Sequence, residues 1–220
     1  SYLSSHAGRG KDAANGRAFG LAIVLGRGRA ARGVIMTAEF VRFDEIEDVL
    51  ISVELVHRVA VDLNKQPSLW KWAIVAAHAA LQGSIVCVVS GTAGFGALSN
   101  QSATAWLSWY DSDRSTPPPE EHMADFATLL KRARKKGFSV SVAQLKDIKR
   151  LHSDFRNSFA HFTPKSWSIE KAGLPRIVNA ALEAVEQLMA REEVNYKMTG
   201  NRKRRLSKSI AGAKSALARL

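Results

Sequence analysis

The sequence predicts an all-α fold, an up-and-down bundle of about four or five main helices with basic, disordered ends. Apolar residues recur at spacings of three and four over long stretches, the mark of helices with one buried face. One stretch is apolar nearly all round and reads as the helix that the others cover. No segment shows a sustained strand-like alternation.

Charge divides the chain into three parts. Residues 1–35 hold six Lys/Arg against one Asp, and residues 191–220 hold nine against two Glu, while residues 36–190 balance at seventeen of each. The net charge of +12 therefore belongs to the ends and not to the central body. The domains read as a disordered extension over 1–35, a helical domain over 36–198 and a basic tail over 199–220. Patterned sequence begins directly after Met36, the first methionine, which suggests translation starting there. Cys87 is the one cysteine, so no internal disulfide forms and a reducing cytoplasm is expected.

The first helix is predicted over 44–63, with Ile46, Val49, Val53, Val56, Ala60 and Leu63 on its apolar face. Asp44, Glu45, Glu47 and Asp48 crowd its start, which suits the positive end of the helix dipole. Pro67 breaks the chain before a second helix over 69–90. From Ala73 to Val89 only His78, Gln82, Gly83 and Ser84 interrupt an apolar run. A membrane span needs about 20 apolar residues. This run is shorter and carries a His and a Gln, so a central helix covered by protein is preferred and stable membrane insertion is not expected. His78 and Gln82 lie four apart and share one stripe. They are either a hydrogen-bonded pair in the core or a polar stripe facing a cleft or subunit interface.

Residues 91–101 form a glycine-rich loop. Gly96 is followed by Ala97 and Leu98, where a phosphate loop needs Gly-Lys-Ser/Thr, so no nucleotide cradle is indicated. A short helix is expected over 103–110, with Trp106 and Trp109 packing, and then a linker with three consecutive prolines. The next helix is predicted over 120–136. Acids open it, and Lys131, Arg132, Arg134, Lys135 and Lys136 close it. Dipole capping accounts for that order, and a phosphate-binding patch for RNA accounts for it equally. Gly137 ends the helix and Ser139 caps its successor. A last core helix starts near Leu174 with Pro175 in its first turn. In the tail, residues 201–205 form a dense basic run, either solvated or attracted to RNA, and Ile210, Leu217 and Leu220 hint at a weak helix.

The most informative stretch is 145–162. Leu145, Ile148, Leu151, Phe155, Phe159 and Phe162 mark a buried face. At roughly 100° per residue, Arg156, Asn157 and His161 point away from the phenylalanines, and His152 turns toward the buried side. A guanidinium that never titrates, an amide and an imidazole then share one surface. Asp154 lies seven residues before His161, about 10 Å along a helix and too far to be its direct partner.

Arg156-Asn157-Ser158-Phe159-Ala160-His161, on a late helix of a helical chain, resembles the Arg-x4-His signature of the HEPN superfamily. The resemblance extends over about residues 36–189 and is closest to poorly characterised bacterial HEPN proteins. It implies a homodimeric, metal-independent endoribonuclease that leaves a 2′,3′-cyclic phosphate, with Arg156, Asn157 and His161 as catalytic residues. It also implies a toxin–antitoxin or defence setting, with an antitoxin as partner. HEPN-like folds also serve as non-catalytic RNA- or protein-binding and dimerisation modules, and that alternative stays open. Some HEPN toxins carry a modifiable Tyr two residues beyond the His. Thr163 stands here instead, which argues against control by that route. No metal or other cofactor is expected, because there is no HExxH motif and one cysteine cannot build a cysteine-cluster zinc site.

Overall fold

Helix α2 (Trp70–Val89) occupies the centre of the chain in a computed structural model that describes residues 40–161 and 166–220. The expectations for residues 1–35, the start at Met36, the burial of Phe162 and the residue at 163 lie outside the described residues. Ile74, Leu81 and Ile85 of α2 are fully buried. Each such side chain contributes about 1.5–3 kcal/mol relative to exposure. The helix from Pro67 to Val89 is long and apolar enough to cross a membrane, and 67% of an apolar 18-residue stretch within it is buried inside the chain.

Helix α1 (Glu45–Ala60) packs along α2 and begins where Asp44 accepts the Glu47 amide at 2.7 Å. A Cβ at Gly83 would lie 2.9 Å from Cγ2 of Val49, so glycine sets the closeness of α1 and α2. Cys87 is buried in the same seam, with its thiol 3.7 Å from the Glu45 carbonyl oxygen. Burial, with the charge of Glu45 added, pushes the thiol up to about 12.

Helix α3 (Asn100–Asp111) is longer than expected, because Ser99 caps it through the Ser102 amide. Trp106 packs on Phe95, Trp109 and Tyr110. Helix α4 (Phe126–Lys135) starts later than its acidic run suggests. Residues 120–124 lie beside the glycine loop instead, through an antiparallel bridge between Leu98 and Met123. The Ala124 amide also donates to the Ala97 carbonyl at 2.9 Å. Asp125 then caps α4 by accepting from the Thr128 amide. Gly137, at φ 91°, takes the left-handed conformation that ends α4. Ser141, not Ser139, caps helix α5 (Val142–Arg150).

The chain continues from α5 through a π-helical turn (Leu151–Arg156) into the short helix α6 (Asn157–Ala160). Helix α7 (Leu174–Met189), with Pro175 in its first turn, packs on α2 and α5. The buried Asp147 carboxylate pairs with Arg176 of α7 and fixes α5 against it. A short helix, α8 (Glu192–Asn195), leads into helix α9 (Gly200–Leu217).

Helix α9 corrects the expectation of a disordered basic tail over 199–220. Thr199 caps it, and Leu206, Ile210, Ala213 and Leu217 are buried at spacings of four, three and four. Its cations meet acids of α1. Arg202 pairs with Asp44 at 2.7 Å, and Arg205 with Glu47 and Glu54 at 2.8 Å each. The Arg205 guanidinium holds the Glu54 carboxyl below its usual range. A Cβ at Gly212 would collide with the His57 ring, so a residue without a side chain is needed for this docking. The helical body therefore runs through Leu220 instead of stopping at 198. With a full-length α3 and a docked α9, the described residues exceed the four or five main helices expected.

If α9 belongs to the core, Ile210→Ala should destabilise the protein by about 2–5 kcal/mol in urea unfolding. A solvated tail would show no change in midpoint.

Candidate functional site

The π-helical turn shapes the site. Here the Asn157 amide donates to the carbonyl of His152, five residues back, so one extra residue enters the turn. Phe155 stays buried, and Phe159 packs on Trp167 with ring centroids 4.8 Å apart. Arg156 and Asn157 are half-buried neighbours, and Nη1 of Arg156 donates to Oδ1 of Asn157 at 3.1 Å. His161 is exposed at the C-terminal end of α6, its amide bonded to the Asn157 carbonyl at 2.9 Å. The structure thus joins Arg156 to Asn157 directly. Among the described residues, the His161 ring bonds to neither of them. Asp154 accepts from Ser153 at 2.6 Å and from Arg150 at 3.4 Å.

Arg156 lines a groove of about 320 Å³ together with His78, Gln82, Asp48, Glu45 and Met123. His78 and Gln82, one stripe in the sequence, therefore face the same groove as the motif arginine. His78 does not pair with Gln82. It hydrogen-bonds His152, Nε2 to Nδ1 at 2.9 Å, and Phe126 stacks on His152 with centroids 4.5 Å apart. The pairing spans 74 residues, so no local spacing announces it.

Burial, then the neighbouring His152 and the charge of Arg156, depress His78 to about 3. His152 is lowered by burial first and then by Arg156, against an opposing pull from Asp125. Both imidazoles are neutral near pH 7, so one ring donates and the other accepts. In the same groove, burial raises the Asp48 carboxyl above its usual range.

Two members of the expected basic patch are occupied elsewhere. Arg132 donates to the carbonyls of Gly96 at 2.9 Å and Leu98 at 2.6 Å, and to Asn100 at 2.8 Å. Lys136 donates to the Val88 carbonyl at 3.0 Å, at the end of α2. They pin the glycine loop and cap α2, and so leave the phosphate-binding set. Lys131, Arg134 and Lys135 are exposed and line a second, larger groove between α4 and α5. His152 lines this second groove, so the histidine pair forms the wall between the two.

No family model, curated protein or solved structure matches the chain. The likeness to HEPN proteins accordingly rests on the motif and its helical setting. Among the described residues, no three His, Cys, Asp or Glu side chains group in a way that could hold a metal ion.

The neutrality of His78 has a measurable consequence. Its folded-state pKa lies below its ordinary value of 6.5. Between those values the unfolded chain binds a proton that the folded chain refuses, so stability present above pH 6.5 is lost as pH falls toward 3. The slope from this one group should reach about 1.4 kcal/mol per pH unit. Urea unfolding of wild type and His78→Gln between pH 4 and 7 checks this. The substitution should flatten the slope, and equal slopes would place the titration elsewhere.

Proposed function

We propose that this chain is a metal-independent endoribonuclease of the HEPN type, built on a HEPN-like bundle and acting as a homodimer on RNA. The observation that carries the reading is the Arg156–Asn157 pair at a groove, with His161 exposed one turn later.

RNA cleavage without metal needs a base for the 2′-OH proton, an acid for the leaving oxygen and positive charge on the phosphate as it becomes pentacoordinate. Arg156 spends one donor on Asn157 and keeps others for phosphate oxygens. Asn157 fixes the direction of the guanidinium. His161 is open to solvent, where an imidazole can serve as the acid or the base. One imidazole cannot remove a proton and deliver another in the same step. A second copy of the chain supplies the second His161 in this reading, and the reaction ends at a 2′,3′-cyclic phosphate. A cytoplasmic toxin or defence component, held in check by an antitoxin, is the setting that the motif suggests.

A second reading has one observation in its favour. Glu45 and Asp48 share the groove of Arg156 and would repel a phosphate entering there. That crowding suits a non-catalytic binding module.

Incubation of RNA in EDTA distinguishes the two. Wild type should cleave, and His161→Ala and Arg156→Ala should each lose about 100-fold or more of the rate. Intact RNA with wild type, or cleavage that both variants retain in full, would sink the nuclease reading and leave the module.

A further inference from the structure

The groove between α4 and α5 has a composition that the motif does not account for. Its volume is about 860 Å³. From α4 it takes residues 126, 127, 130, 131, 134 and 135, one face followed along the whole helix. From α5 and the π-helical turn it takes 145, 149, 152 and 153, again a single face. The two helices meet at the turn through Gly137 and do not pack side by side. They bound a trough about as long as the ten residues of α4, roughly 15 Å.

The floor is apolar, with Phe126, Leu130, Phe138 and Leu145, and Ala127 is exposed within it. The rim is cationic. Lys131, Arg134 and Lys135 stand on the α4 side and Lys149 on the α5 side, all four exposed. Among the described residues, none of the four makes an ion pair. The dipole of α4 explains cations in its last turn. It explains neither Lys131, a turn earlier, nor their convergence with Lys149 from another helix.

We propose that this trough is the docking site for an acidic amphipathic helix of a partner protein. An apolar floor followed by two helix faces is the geometry that receives a third helix, read through anchors at i, i+3/i+4 and i+7. About three turns fill its length. Cations on both rims select Glu and Asp on the flanks of that helix and repel basic partners. The floor rings Phe126 and Phe138 are buried, so the trough offers no open aromatic face on which the bases of a nucleic-acid strand would stack. The proposal does not depend on the role of Arg156 or His161.

The full chain, immobilised, should select from a display library of helical peptides about three turns long. The winners should carry Leu, Phe or Met at helical spacing between Asp and Glu flanks. By fluorescence polarisation, the tightest should lose about tenfold or more of its affinity with Ala127→Glu. The pair Lys131→Glu/Lys149→Glu should do the same, and Lys65→Glu, on a remote loop, should leave binding unchanged. All of these positions are exposed, and circular dichroism checks that each variant folds. Winners without the acidic amphipathic pattern, or affinities indifferent to the trough substitutions, would overturn the proposal. So would displacement of the peptide by a short single-stranded RNA whose own binding falls in the same variants. A chain dimer that the Lys131/Lys149 reversal dissolves would assign the trough to a second copy and overturn it equally.

Discussion

The structure depends on the need to cover most of α2. A helix with apolar residues nearly all round must bury most of its surface, and its neighbours are fixed by that requirement, the side that carries Gln82 being left to line the groove of Arg156. Helices α1, α7 and α4 and the π-helical turn all pack against it. Each neighbour is amphipathic and closes one sector. The polar interruption at His78 is tolerated because His152 supplies a hydrogen bond. Where α1 comes closest, Gly83 leaves no side chain in the way.

Much of this was legible in the sequence because the signals were local. The starts of α1 and α7 follow from Asp44 and from Pro175, and the centrality of α2 from its composition. The misreadings came from contacts between distant residues. Residues 120 and 121 look like the acidic opening of a helix, yet the adjoining segment is held beside the glycine loop by Leu98. The basic run at 202–205 looks solvated until Asp44, Glu47 and Glu54 are placed opposite it, about 150 positions earlier in the chain. Spacing also underweighted α9, because Ala213 and Leu206 are modest signals that count once α1 lies beneath them.

The candidate site is legible only in part. The spacing puts Arg156, Asn157 and His161 on one helical surface, and Arg156 and Asn157 stand there as bonded neighbours, while the His161 ring bonds to neither among the described residues. A wheel drawn at a constant angle cannot contain the π-helical turn, which carries an extra residue just before the motif. It also cannot show that His152 reaches across to α2. Along the sequence the five cations form one unit. In the structure two of its members hold backbone carbonyls and three face a trough. Lys149 joins those three from another helix, which spacing along α4 could not reveal.

Cys87 carries a practical consequence. Burial pushes its thiol up to about 12, so the reactive thiolate is scarce near neutrality. The sulfur lies under the first turn of α1, against the Glu45 carbonyl. An alkylating reagent must therefore wait until α1 lifts from α2. As the sole cysteine in the chain, it serves as a native clock for that opening, with no engineered label required.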